Sequence, residues 1–386
     1  MATQTTTTTP AAASAVAPSG WDHAAHNPRH MTAQLAFDRA LACDVDASGE
    51  WLALVQNGAL RLVSTAKIAS SSAMPLSSSG TTLCATGVRC VRFSRDGAKL
   101  LAGGDDKRVV VWRRNSDSAA EVRSWEATKK IAAVEFSADG ATAIWADRFG
   151  EVYCAAVDGP AGAAPALALG HLSPVSHLRL TPCGTKLLTA DREGHVRTSM
   201  WPHAFVIDCY CLRHVTPLQI MLPLVSAPLL LTAADGGREV CVWRGAGGGL
   251  LSVWPAAELW RVLGPADNGA EPPAALQAAC ELAKARIIIL GFAGRCELVA
   301  ADVRCAWDGG SAELLTREFT FHLPEPTLSL HITEADGSLL VALCASQLLL
   351  IEPGANGAGS TLRTIALDAP TAAPAAADDD DDDDDG

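Results

Sequence analysis

Few stretches of this 386-residue chain carry residue types that do chemistry, and each has a plainer reading. Gly245-Ala246-Gly247-Gly248-Gly249 follows the apolar run Val240–Trp243 as a phosphate-cradling loop follows a strand. Such a loop must open a helix, whose N-terminal N–H groups meet the phosphates, and must be followed by an acid for the ribose. Leu250–Trp254 gives no capped helix start, so the glycines read as a connection between repeats. The paired carboxylates Asp105-Asp106 sit at a turn, where Asp stabilises the bend rather than trading protons. His23, His26 and His30 lie in a polar segment that reads as a flexible tail rather than a metal site. There is no Gly-x-Ser-x-Gly elbow, no His-Glu-x-x-His pair and no Lys-bearing phosphate loop. The twelve cysteines are scattered without a Cys-x-x-Cys pair and read as reduced core residues, with no zinc site. No catalytic set, cofactor or metal is expected. What remains is one basic residue, Arg197, inside an otherwise apolar strand pattern.

The element that holds Arg197 is Gly170–Thr198. It turns at Thr181-Pro182-Cys183-Gly184, runs through Lys186–Ala190, turns again at Asp191-Arg192-Glu193-Gly194 and climbs through His195–Thr198. Short β-type runs with Gly, Pro and Asp at the corners indicate antiparallel strands. The first turn recurs at Gly49, Gly97, Gly140 and Gly184, spaced 48, 43 and 44 residues apart, and Ser226-Ala227-Pro228 continues the series. That period suits one four-stranded propeller blade. Weaker units around Leu276–Val299 and Leu328–Ile351 bring the count to seven, with Gly245–Pro273 as an inserted loop. The fold expected is all-β, a seven-bladed propeller over residues 28–353. Segment 1–27, rich in Thr, Ala and Ser, and segment 354–386 are expected to be disordered tails. A cleaved transit peptide is an open alternative for the first.

The formal charge is −13, of which Asp378–Asp385 supply eight, leaving −5 for the rest. Neither value suits a protein that grips nucleic acid by its own phosphate contacts. The longest apolar stretch, Leu218–Ala234, is too short and too broken by Gln219, Pro223 and Pro228 to span a bilayer. The polyaspartate run reads as a solubilising tail, with mimicry of nucleic acid as the alternative.

Aligning the second turns as Asp followed five residues later by Val groups Asp105 with Val110, Asp147 with Val152, Asp191 with Val196 and Asp235 with Val240. The next position then holds Val111, Tyr153, Arg197 and Cys241. A buried, unpaired guanidinium costs several kcal/mol, about 3–5 where a partner is missing. Arg197 is therefore expected either to face solvent or to pair with an acid, and a partner's carboxylate could take two parallel hydrogen bonds from it.

The Gly170-His171 opening and the later Asp191 resemble the structural His and Asp of a WD repeat, which implies structural roles for His171, Asp191, Asp147 and Asp105. Gly170-His171-Leu172-Ser173, Leu188–Arg192, Val196-Arg197, Pro202-His203 and Cys211–His214, with Ala146–Tyr153 before them, are similar to the WD-repeat, non-catalytic subunit of the tRNA (guanine-N7) methyltransferase complex. The resemblance covers about 131–214. It implies a scaffold that binds an S-adenosylmethionine-dependent catalytic subunit, meets tRNA mainly through that partner and works in the nucleus. It also implies that Arg197, and more weakly Arg192 and Lys186, face that partner. A generic WD-repeat adaptor, such as a ubiquitin-ligase substrate receptor, would share every fold-level feature.

Overall fold

The glycines that set the repeat do so through backbone geometry. In a computed structural model of the protein, Gly49, Gly97, Gly140 and Gly184 have φ of 74°, 68°, 64° and 74°, a left-handed conformation that costs any residue with a Cβ. Each closes the turn between the first two strands of a blade. In three of these turns a hydroxyl caps the next strand: Ser94 Oγ accepts from Lys99 N at 2.9 Å, Ser137 Oγ from Thr142 N at 2.9 Å and Thr181 Oγ1 from Lys186 N at 3.1 Å. The structure describes residues 42–367 except for short stretches, the longest being 69–73, 76–79, 265–274, 307–310, 334–338 and 354–358.

The strands form seven sheets, one per blade: Ala42–Cys84, Val88–Glu126, Ile131–Gly170, Val175–Cys211, Leu218–Pro255, Leu276–His322 and Thr327–Ala366. Within a blade four antiparallel strands, a to d from the channel outward, follow in sequence order. Six blades share a bulge two residues into strand a, as between Val175 and His177. The bulge adds local twist and turns the following side chains along the channel wall. Side chains alternate between neighbours, as a two-residue period demands. In strand b of blade one, Leu52 and Leu54 pack with Val341 and Leu343 of blade seven, while Ala53 and Val55 pack with Val91 and Leu100 of blade two. The core is thus a set of layers between blades.

Three expectations change. Gly245–Pro273 is not simply an inserted loop. It contains strand d of blade five, Leu250–Pro255, and the helix Ala256–Leu263, and the glycines join strands c and d within that blade. Blade seven takes its last strand from Gly359–Ala366, beyond the boundary at 353. The alignment of second turns slips by one residue in blade two. There Gly104 pairs with Val88 as Asp147 pairs with Ile131 and Asp191 with Val175. Lys107, at φ 57°, takes the left-handed place held elsewhere by Gly150 and Gly194. The equivalent of Arg197 in blade two is therefore Val110, and Asp105 does not hold its own turn. It pairs instead with Arg89 and, at 3.4 Å, with Arg148 of blade three. Segments 1–27 and 368–386, His23, His26, His30, Asp235 and the turn at 335–337 lie outside the described residues.

Candidate partner-docking face on blades three to five

Blade four is built on a hydrogen-bonded frame that positions everything on its rim. Asp191, at the end of strand b, accepts from the backbone N–H groups of Glu193 and His195, both at 3.0 Å, and so fixes the turn between strands b and c. Asp147 does the same in blade three for Phe149 at 2.8 Å and Glu151 at 3.0 Å. His171 reaches from the preceding loop, with Nε2 2.7 Å from Thr189 Oγ1 and Nδ1 3.8 Å from Asp191 Oδ2. Burial lowers the His171 pKa, with Asp191 opposing, so the ring is neutral at pH 7.

Arg197 takes neither course expected of it. Its side chain is inside the protein, with the residue 8% exposed, and among the described residues no carboxylate lies within ion-pairing distance. Nε donates to Ser199 Oγ at 2.9 Å, Nη1 to Gly170 O at 3.2 Å and Nη2 to Ala204 O at 3.0 Å. Gly170 ends blade three, and Ala204 lies in the loop joining strands c and d of blade four. A guanidinium spreads five donors over a plane, and backbone carbonyls can satisfy it where no acid is present. Burial lowers the Arg197 pKa, with Tyr210 opposing. Arg197 is thus an internal clamp between two blades, not a group facing a partner.

The other two candidates lie at opposite ends of one strand. Lys186 begins strand b and pairs with Asp208 at 2.6 Å. Arg192 follows the end of that strand, about 20 Å away at 3.3 Å per residue. Arg192 is exposed, its backbone N–H donates to Pro174 O at 2.9 Å, and its guanidinium is free among the described residues.

Around Arg192 the rim carries side chains that the sequence reading passed over. Phe149 is 61% exposed, Leu172 fully, Leu212 63% and Val215 87%. Their loops touch in series. His171 N donates to Gly150 O at 2.9 Å, joining the turn of Phe149 to the loop of Leu172. Arg192 N on Pro174 O joins that loop to blade four. Gly194, whose Cβ would come within 2.8 Å of His214 Cβ, seats the same turn against the loop of Val215. The result is an apolar ledge from blade three to blade five with Arg192 at its centre. Lys129 lies over the Phe149 ring at 4.2 Å, and Arg213 pairs with Glu239 at 3.0 Å at the far end. The signal in the sequence was an apolar residue at the tip of a turn otherwise made of Asp, Gly, His and Arg. A second exposed group, Phe205, Val206 and Ile207, lies on the opposite rim of blade four.

Comparison with known proteins shows what the chain is similar to. Residues 158–343 match the model of the tRNA methyltransferase TRM82 WD40 domain, and residues 77–113 match the WD domain, G-beta repeat. The chain is 28% identical over 273 residues to the tRNA (guanine-N(7)-)-methyltransferase non-catalytic subunit TRM82 of Eremothecium gossypii, covering 66% of this chain and 60% of that protein. It is 29% identical over 167 residues to the non-catalytic subunit WDR4 of Bos taurus and 28% over 173 residues to that of Homo sapiens, covering 43% and 45% of this chain. The matches span about two to three fifths of the length of these relatives. The Cps50 (Swd1) β-propeller domain of Myceliophteria thermophila superimposes with a TM-score of 0.58 at 12% identity, over 84% of this chain and 94% of that one. A chain of the mitotic checkpoint complex gives 0.60 at 13%, over 84% and 86%, so these two show the fold alone. Over residues 158–343 the chain is similar to the WD-repeat family named as the non-catalytic subunit of tRNA (guanine-N7)-methyltransferase.

Proposed function

We propose that this chain is the non-catalytic scaffold of a tRNA guanine-N7 methyltransferase complex, holding an S-adenosylmethionine-dependent catalytic subunit on the ledge of Phe149, Leu172, Leu212 and Val215. The observation that carries this is the ledge itself, of which Leu172, Arg192, Leu212 and Val215 lie within residues 158–343, the part that matches the family model. Burying a large apolar side chain contributes on the order of 1.5–3 kcal/mol, enough over four residues to offset much of the cost of association. Arg192 at the centre would set register by pairing with an acid of the partner. The propeller fixes the catalytic subunit in one conformation and so preorganises its tRNA and methyl-donor sites. The negative balance of the chain leaves tRNA to be gripped mainly by the partner. On this reading the complex works in the nucleus, and the chain itself holds no cofactor.

The test is methyl transfer to tRNA by the catalytic subunit with and without this chain. Stimulation together with co-purification supports the proposal. Failure of both would leave a propeller adaptor serving another complex, such as a ubiquitin ligase.

A further inference from the structure

The four strands of blade seven, Thr327–Ala366, are consecutive, and no N-terminal strand among the described residues completes them. Beyond the apolar layer of Leu52 and Leu54 on Val341 and Leu343, two further sets of bonds cross the seam between blades seven and one. On the outside, Met74–Pro75, between strands c and d of blade one, runs parallel to Ile365–Ala366 as a fifth strand of blade seven. On the inside, the central channel, of about 920 Å³, is lined by charged side chains from strands a of successive blades. His331 Nδ1 of blade seven is 3.6 Å from Asp44 Oδ1 of blade one, and Arg92 Nη1 of blade two donates to the same oxygen at 3.1 Å. Arg92 Nε is 3.7 Å from Glu135 of blade three, which Arg179 of blade four approaches at 4.0 Å. The charges alternate in sign across five blades. In blades five and six the positions of Arg92 are taken by Leu222 and Cys280, counting from the shared bulge, and the belt stops.

We propose that the ring is held shut by a two-part clasp at the seam of blades seven and one: the Met74–Pro75 hook outside, and inside a charge-alternating belt of which Asp44 is the keystone. Asp44 lies between His331 of blade seven and Arg92 of blade two while its second oxygen accepts the backbone N–H of Phe93 at 2.7 Å; Glu135 is built alike, on Arg92, Arg179 and the N–H of Phe136 at 3.0 Å, but away from the seam. Burial alone would raise its carboxyl, yet Arg92 and His331 hold it below the usual range. Removing the charge leaves two cations facing one another across the seam, whereas loss of Glu135 acts between blades already joined by chain connection.

Hydrogen exchange on the full chain tests this, because a local opening exposes only the amides that it frees. Asp44→Asn should speed exchange about tenfold at Ile365, Ala366 and Leu339–Cys344, while blade four stays as in the wild type. Glu135→Gln should leave the seam protected. Should Asp44→Asn not fold, His331→Gln at the end of the belt should give the same pattern more weakly. Where both fold, their double variant should open the seam less than the product of the single effects. Uniform loss across all blades, or an unchanged seam in either variant, would overturn the clasp.

Discussion

Blades four and five solve the same problem differently. In both, a His from the preceding loop meets a Thr at the middle of strand b: His171 and Thr189 at 2.7 Å, His214 and Thr232 at 2.8 Å. In blade five, strand c completes the frame with Trp243, whose indole N–H donates to Thr232 Oγ1 at 2.8 Å, and the residue opposite Thr232 is the buried Cys241. In blade four, Ser199 stands in the place of that Trp and Arg197 in the place of that Cys. Blade five closes this frame with the indole and the thiol of its own strand c. Blade four is held by a cation that reaches its own outer loop and the edge of blade three. The difference ties together the two blades that carry Phe149, Leu172 and Arg192, so the ledge is positioned as one body.

The comparison breaks most sharply if the two residues are exchanged. Cys241→Arg puts a guanidinium into blade five without the carbonyl cradle, and should destabilise by about 4 kcal/mol or more, or prevent folding, as read by chemical denaturation. Arg197→Met should cost about 2–4 kcal/mol by leaving the Gly170 and Ala204 carbonyls unsatisfied, and should speed hydrogen exchange in 201–206. Arg197→Lys, with fewer donors, should fall between. Trp243→Phe removes one hydrogen bond and should cost about 1 kcal/mol.

The smallest effect is one of pH, and it is shared by both blades. Burial lowers the pKa of His171, opposed by Asp191, and of His214, opposed by Glu239. Each ring is neutral when folded, while the unfolded chain binds a proton near the ordinary value of 6.5. The unfolded state therefore binds more protons below that value, so the contribution is complete above about 6.5 and is lost as pH falls. His214→Gln should flatten the acid side of the stability profile.

Much of the fold was legible because turn glycines with positive φ are demanded by geometry, and Gly49, Gly97, Gly140 and Gly184 set the period. Blade two slipped by one because Lys107 adopts the conformation that glycine marks elsewhere, which no residue type announces. The site was less legible. A strand pattern shows that Arg197 is out of place, but its acceptors, Gly170 O and Ala204 O, are backbone atoms and carry no sequence signature. Lys186 and Arg192 look like neighbours along the chain, yet one strand sets them at opposite rims. The ledge assembles from four turns and loops 23 to 43 residues apart in pairs such as Phe149 with Leu172 and Leu172 with Val215, and only the packing of consecutive blades brings them together.

The central claim is that the ledge holds the catalytic subunit, and a binding titration of that subunit against three versions of this chain tests it most directly. Leu172→Asp with Val215→Asp should leave thermal stability unchanged, since both side chains are exposed, and should weaken binding by at least thirtyfold, about 2 kcal/mol. Phe205→Asp, on the opposite rim, should bind as wild type. Unchanged affinity in the ledge variant, or loss confined to Phe205→Asp, would contradict the account.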